Sequence, residues 1–304
     1  MINRLFPTLL FFICFFYSLP QTAKAQNNEW ENPAKYEWNK ERPHADFRLY
    51  EQAEDAVNDK PRKSSWQHSL NGVWKFIYAP TIAASIKEVY RIDLPDSNWD
   101  TITVPSNWEI QGFGEPIIRN IQYVFSSNPP YIDVDNPVGT YRRTFTVPRN
   151  WQEREVFLHF GSISGYARIY VNGQQVGMTK ASKTPAEFNV TNYLKEGENL
   201  LAVQIYRWHD GSYMEDQDFW RLTGIERDVF LQAYPKLTIW DFFLKSSLDS
   251  TYKNGIFNAT VDLREFTGNN VKKGTLKLEL LDKTGKIVLS QQKKFDIEDE
   301  FNQL

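Results

Sequence analysis

Three carboxylates crowd one short stretch of the chain. Glu215, Asp216 and Asp218 follow an Asp210-Gly211 turn signal within residues 207–221, RWHDGSYMEDQDFWR. Such a set supports three kinds of chemistry. It is a solvated loop in the commonest case. It can offer oxygens to a hard cation, because carboxylates two apart serve one ion. It can also supply a carboxylate pair for acid/base hydrolysis, although neighbours on one loop lack a rigid facing partner. The four histidines, His44, His68, His159 and His209, have no zinc-like spacing. His159 falls inside a strand pattern, and all four read as ordinary polar or half-buried residues.

β structure has to position that loop. From Ser69 onward, short runs at 73–78, 101–104, 139–147, 155–160 and 167–171 alternate apolar with polar side chains, the period of a half-buried strand. Asn172-Gly173 is a hairpin signal and 174–177 begins the return strand. Further strands are expected near 188–190, 200–208 and 227–234, so the acidic loop hangs between the last two. Nothing from Ser69 to Tyr234 carries the helical periodicity that βα repeats require. The expected fold class is all-β: a jelly-roll-like sandwich over 64–234, then an incomplete immunoglobulin-like sandwich over 235–304. The second unit's strands are expected at 237–244, 255–263, 274–281 and 286–295, with a hairpin turn at 282–285. Its roughly 70 residues fall short of the about 100 of a seven-strand immunoglobulin sandwich, so unpaired edges are expected. A TIM barrel, at about 250 residues, has no room. Residues 26–63 read as a polar, Pro-interrupted arm with a helical turn around 51–57.

Residues 1–25 read as a secretory signal peptide. A basic start ends at Arg4, an apolar run covers 5–19, and Ala23-Lys24-Ala25 places small residues before a cleavage point at Gln26. The run of about 15 residues is shorter than the roughly 20 that span a bilayer. The expected address is therefore exported, periplasmic or secreted, with no membrane partner once the signal is removed. Cys14 is the only cysteine, so no disulfide can staple the mature chain and stability must come from burial. The net charge is −3, with both signs well mixed and no basic stripe, which argues against nucleic acid as a partner. Aromatic residues make up 15% of the chain, with 10 Trp. They suit either sugar-stacking surfaces or sandwich cores, the core being the commoner use.

Several segments fall in an order typical of glycoside hydrolase family 2: SLNGVWKF at 69–76, VPSNW at 104–108, PIIRNIQY at 116–123, NPP at 128–130, NPVGTY at 136–141 and the loop 207–221. The resemblance runs from about Trp30 to at least Tyr234. The loop is similar to the RW-x-DGSY-x-EDQD-x-WR stretch of the bacterial β-galactosidases within that family. The resemblance implies a β-sandwich, an immunoglobulin-like domain and then a TIM barrel that carries both catalytic glutamates of a retaining mechanism. The first sandwich would lend loops that hold galactose over the barrel mouth. On that pattern the chain is the N-terminal sugar-binding portion of a retaining β-galactosidase acting on terminal non-reducing β-D-galactose, with the barrel missing. A stand-alone carbohydrate-binding module and a subunit that complements a separate barrel are the alternatives. Sibling β-glucuronidase or β-mannosidase activities fit the loop less well.

Carried over residue by residue, Asn120 and Ile121 fall where the family contacts galactose, and so does Asp218. Asp218 also falls where the family helps hold a sodium ion shared with the barrel. An amide can donate to and accept from one sugar hydroxyl, while an Asn capping a turn is the plain alternative for Asn120. Arg119 and Gln122 depart from the commoner residues, which leaves the aglycone preference open. Lys180 stands where some members have a Gln near a structural magnesium, so that metal site is not carried over. Sodium and magnesium are implied for the full-length enzyme and no cofactor for this chain alone. The family's acid/base Glu follows an Asn. The only such pair, Asn28-Glu29, lies in the arm and reads as solvated chain, so no catalytic residue is assigned. His44, in RPHA, resembles an arm element and receives no chemistry. The partners implied are a β-galactoside and the missing barrel, with a homo-oligomer of the full-length form left open.

Overall fold

The computed structural model describes residues 28–58, 64–118, 123–215, 218–266, 273–297 and the strand Phe301–Gln303. In chain order the strands are β1 (Glu37–Trp38), β2 (Gln67–Ser69), β3 (Gly72–Ala79), β4 (Asp100–Val104), β5 (Ser106–Asn107), β6 (Ile117–Ile118) and β7 (Val138–Thr146). There follow β8 (Glu155–Phe160), β9 (Ile163–Ser164), β10 (Tyr166–Val171), β11 (Gln174–Thr179) and β12 (Ala186–Asn189). The last of the first unit are β13 (Glu198–Tyr206), β14 (Trp220–Arg221), β15 (Gly224–Ile225) and β16 (Val229–Tyr234). Among the described residues the only α-helix is the short Ala53–Val57, within the span expected to be helical.

Two antiparallel sheets face each other, a seven-stranded β1-β11-β10-β13-β7-β3-β4 and a four-stranded β12-β8-β16-β2. Their inner faces follow the period of two. Ala167, Ile169 and Val171 of β10 and Leu201, Val203 and Ile205 of β13 meet Val156, Leu158 and Phe160 of β8 and Val229, Leu231 and Ala233 of β16 in one buried cluster. Trp74, Trp108, Trp151 and Phe188 fill the space between them. Each fully buried large apolar side chain contributes about 1.5–3 kcal/mol, so this cluster is the main source of stability. At the β10–β11 hairpin, Asn172 and Gly173 both adopt positive φ, as a two-residue turn of the right twist demands.

The outer faces are covered as well. On the seven-stranded sheet, Trp30 from the arm stacks on Tyr206 at 5.0 Å, and Glu37–Trp38 add an edge strand to β11. Glu29, expected to be solvated chain, is instead part of this clasp. It accepts from the Tyr166 hydroxyl at 2.6 Å and from Arg168 at 2.7 Å, and these partners hold its carboxyl below the ordinary range against the opposing effect of burial. On the four-stranded sheet, His44 Nε2 lies 2.6 Å from Glu187 Oε2. There Phe157 and Tyr234 pack with Trp240 and Phe266, joined by Phe47 and Leu49 of the arm.

The second unit consists of β17 (Leu237–Leu248), β18 (Gly255–Glu265), β19 (Lys273–Leu281), β20 (Ile287–Asp296) and β21 (Phe301–Gln303). They form a three-stranded sheet β17-β18-β21 and a hairpin β19-β20. Val261, Leu263 and Ile297 pack with Leu237, Phe242, Leu276 and Phe295 between them. The turn at Asp282 closes as the sequence indicated, with the Gly285 N–H donating to the Asp282 carbonyl. The fold is all-β.

Two predictions follow from this packing. A Cβ added at Gly139 would stand 2.3 Å from a ring carbon of Trp108. Gly139→Ala should therefore cost about 1–3 kcal/mol, and an unchanged urea midpoint would contradict it. The arm clasp should also depend on pH. Burial pushes Glu187 up, but the two imidazoles outweigh it and hold the carboxyl low. Burial pushes His44 down, but Glu187 outweighs it and holds the imidazole high. The Glu187 contribution is lost as pH falls through its lowered value, and the His44 contribution as pH rises through its raised value. Amides around 40–46 should therefore show a larger opening free energy at about pH 5.5 than at roughly pH 8.5. Hydrogen exchange that shows no difference, or one that survives Glu187→Gln, would refute the clasp.

Candidate functional site

Beyond Tyr206 the chain leaves the seven-stranded sheet, and its backbone groups lose their ladder partners. Asn136, from the segment that leads into β7, replaces them. Its Nδ2 donates to the Trp208 carbonyl and its Oδ1 accepts from the Trp208 N–H, both at 2.8 Å. His209 then caps the 3-10 turn Asp210–Tyr213. Its Nδ1 accepts from the Gly211 N–H, while the Ser212 hydroxyl accepts from the His209 N–H. Accepting at Nδ1 fixes the tautomer with hydrogen on Nε2, which stands 3.4 Å from Glu215 Oε2.

Lys180 follows β11 and is only 4% exposed. Its ammonium donates to Asp210 Oδ1 at 2.9 Å and to the Asn32 carbonyl at 3.0 Å. Arm, hairpin and loop therefore share one buried cation. Burial lowers the ammonium pKa, with Asp210 pulling it back up. On the other side of the loop, the Tyr213 hydroxyl lies 2.6 Å from the Tyr131 carbonyl, and the Tyr123 hydroxyl donates to the Tyr213 carbonyl. Phe125, Trp208 and Tyr213 form a small aromatic core beneath.

The end of the loop is a two-residue ribbon in which Trp220 pairs with Ile118 and Arg221 with Ile117. Arg207 holds its base by donating to the carbonyls of Glu115 and Arg221. Glu109 is buried below, accepting from the Thr223 N–H at 2.9 Å with Oε1 3.6 Å from Arg207. Burial pushes its carboxyl up, and neither partner cancels that shift. At the tip, Phe219 and Trp220 are 51% and 45% exposed, with the Lys183 ammonium 5.1 Å from the Phe219 ring. The cleft at the ribbon's base encloses about 40 Å³, little more than one water's share of liquid at about 30 Å³.

Asp218 is exposed, with φ +42°, two residues before the ribbon. Asn120 and Ile121 lie outside the described residues, as does Asp216. Glu215 is not part of an open acidic cluster: its Oε1 accepts from the Ser182 N–H, and its other oxygen faces His209. His209 itself is fully buried, contrary to its expected half-buried role. Asn136, Glu109 and Arg207 received no role from sequence. Asn136 and Arg207 sit inside quoted motifs, but nothing local marks a backbone-satisfying Asn.

The family model for the sugar binding domain of glycosyl hydrolases family 2 matches residues 67–235. A β-galactosidase of Priestia megaterium is 36% identical over 280 residues, which cover 90% of this chain and 27% of that protein. One from Vibrio cholerae is 38% identical over 266 residues, covering 88% of this chain and 25% of its own length. The chain thus spans about a quarter of the curated relatives it matches. Among solved structures, a β-glucuronidase of Bacteroides uniformis superposes with a TM-score of 0.59 at 22% identity, over 78% of this chain and 27% of that one, a likeness of fold.

The Asn136 pair yields a test. Asn136→Ala leaves a buried N–H and a buried carbonyl of Trp208 without partners, and should cost about 2–4 kcal/mol. Denaturant unfolding checks this, and a cost near zero would mean that water replaces the amide.

Proposed function

Because the chain belongs to glycoside hydrolase family 2, we propose that it is the sugar-holding portion of an exported retaining β-galactosidase whose catalytic barrel it does not itself carry. The ribbon is the observation that supports this most directly. Asn120 comes two residues after Ile118 and Asp218 two residues before Trp220, and those ribbon residues are paired. Asp218 therefore stands within about 7 Å of a paired Cα. A carboxylate and two exposed aromatic faces share this tip, and hydroxyls and a pyranose face call for such groups. The curated relatives named β-galactosidase support galactose over a uronic acid as the sugar held.

Asp218 suits one position of a sodium shell, its charge partly neutralising the ion. Among the described residues no group of three or more His, Cys, Asp or Glu could hold a metal, so the remaining ligands would come from the barrel. A divalent ion at Lys180 does not fit, because the ammonium already occupies Asp210 and Asn32 and would repel it. A retaining mechanism needs two carboxyl groups about 5–5.5 Å apart and facing the bond to be cleaved. Glu109 and Glu215 are instead committed to Thr223 and to Ser182 with His209. Their role is to fold the loop.

Release of a chromogenic aglycone from a β-galactoside tests the reading. The 304-residue chain should give none. Joined to the immunoglobulin-like and barrel domains of a β-galactosidase, the same residues should restore turnover. In that protein Asp218→Ala should raise KM about tenfold with a smaller change in kcat. Turnover by the chain alone, or a joined protein indifferent to Asp218→Ala, would overturn it.

A further inference from the structure

Three distant segments meet at one buried point. Asn32 ends the 3-10 turn Glu29–Glu31 of the arm, Lys180 follows β11, and Asp210 opens the 3-10 turn of the 207–221 loop. The Lys180 ammonium stands between the other two, 3.0 Å from the Asn32 carbonyl and 2.9 Å from Asp210 Oδ1. Local structure fixes all three. The Asn32 carbonyl also accepts from the Lys35 N–H, and the Lys180 N–H donates to the Tyr36 carbonyl. His209 caps the turn that carries Asp210.

Carboxylate and carbonyl oxygens that converge on a buried point are the donors a hard metal ion takes, at about 2.0–2.6 Å. Here they are satisfied by a side chain. The Asp210 carboxylate is 9% exposed, and a carboxylate so desolvated needs a positive neighbour. His209 does not supply it, because its Nδ1 accepts from the Gly211 N–H and stands 3.7 Å from Oδ1. Glu29 is close enough to act on the ammonium, but its Oε2 is taken by Tyr166 and Arg168, with Lys35 3.8 Å from Oε1. The Tyr166 ring stands on another side, its centroid 5.9 Å from the ammonium. An ammonium is attracted to an aromatic face, whereas a divalent ion needs water or more oxygens there.

We propose that Lys180 stands in for a bound metal ion. Its ammonium supplies the charge that joins arm, hairpin and loop, so this chain docks its arm without a divalent cation. The charge is covalently attached, and chelation cannot remove it. Taking it away uncovers a cation site. Lys180→Gln sets an amide oxygen beside Asp210 Oδ1 and the Asn32 carbonyl, and magnesium can bind such a set with water completing its shell. The inference concerns how the arm is held and stands whether or not the sugar reading does.

Hydrogen exchange of the Lys35 and Lys180 amides, read on the full chain in EDTA and in millimolar magnesium chloride, tests it. In the unsubstituted chain the rates should agree between the two buffers. In Lys180→Gln both amides should exchange faster in EDTA by about tenfold or more, and magnesium should restore most of the protection. Chelator-sensitive exchange in the unsubstituted chain would overturn the proposal. So would a Lys180→Gln chain that is as protected in EDTA as its parent, or one that magnesium leaves loose, which is the behaviour of an ordinary ion pair. A circular-dichroism melt shows whether the variant folds. If it folds in neither buffer, Asp210→Asn replaces it, keeping the shape but not the charge. Its amides should then exchange faster in both buffers alike, and unchanged exchange would equally overturn the proposal.

Discussion

A long loop that leaves a sheet carries N–H and C=O groups with no ladder to satisfy them, and those that are buried must find side chains. The rest of the site depends on that constraint. Between Tyr206 and Trp220 the chain is buried at Trp208, His209, Ser212 and Tyr213, yet its described residues make no strand pairing. Asn136 substitutes for a neighbouring strand at Trp208. His209 and Ser212 substitute for one another at the next turn. Only with the root fixed this way do Asp218, Phe219 and Trp220 project from a defined base.

Charge obeys the same rule at higher stakes. Lys180, Glu109, Arg207 and Glu187 are all nearly inaccessible, and each faces an opposite charge. Desolvation can exceed the attraction of such a pair, so these pairs add little net stability. What they specify is geometry. Lys180 joins arm, hairpin and loop at one point, and no arrangement that separates them leaves its ammonium satisfied. Gln232 departs from the rule, since its amide is held by the Arg48–Gln67 relay with the donor left unspent.

The strands were readable because alternation at period two needs only local sequence. The runs at 155–160 and 167–171 bury the residues that the pattern sets inward. Pairing order was not readable, because β1 joins β11 with Trp38 opposite Met178, far along the chain, and no local signal marks it. The same distance hid the arm's contacts. Glu29 meets Arg168 and His44 meets Glu187 from far along the chain, and such a residue looks solvated when only its neighbours are considered. Strand ends also moved: β17 runs to Leu248, because its polar second half pairs in register with β18. At the site, family resemblance rather than spacing singled out Asp218 and Asn120. The supports at the root of the loop were invisible, since an Asn that satisfies backbone resembles any other turn Asn.

The exposed tip contrasts with the aromatic residues of the core. Phe219 and Trp220 present large apolar faces to water, while Trp74, Trp108 and Trp151 are buried in the core. The ribbon register sets Trp220 opposite Ile118, and both are exposed, while its neighbour Arg221 is buried. The small cleft at the ribbon's base cannot take a sugar by itself. On the proposed reading this exposed tip is one wall of a site, and the catalytic barrel would supply the facing one.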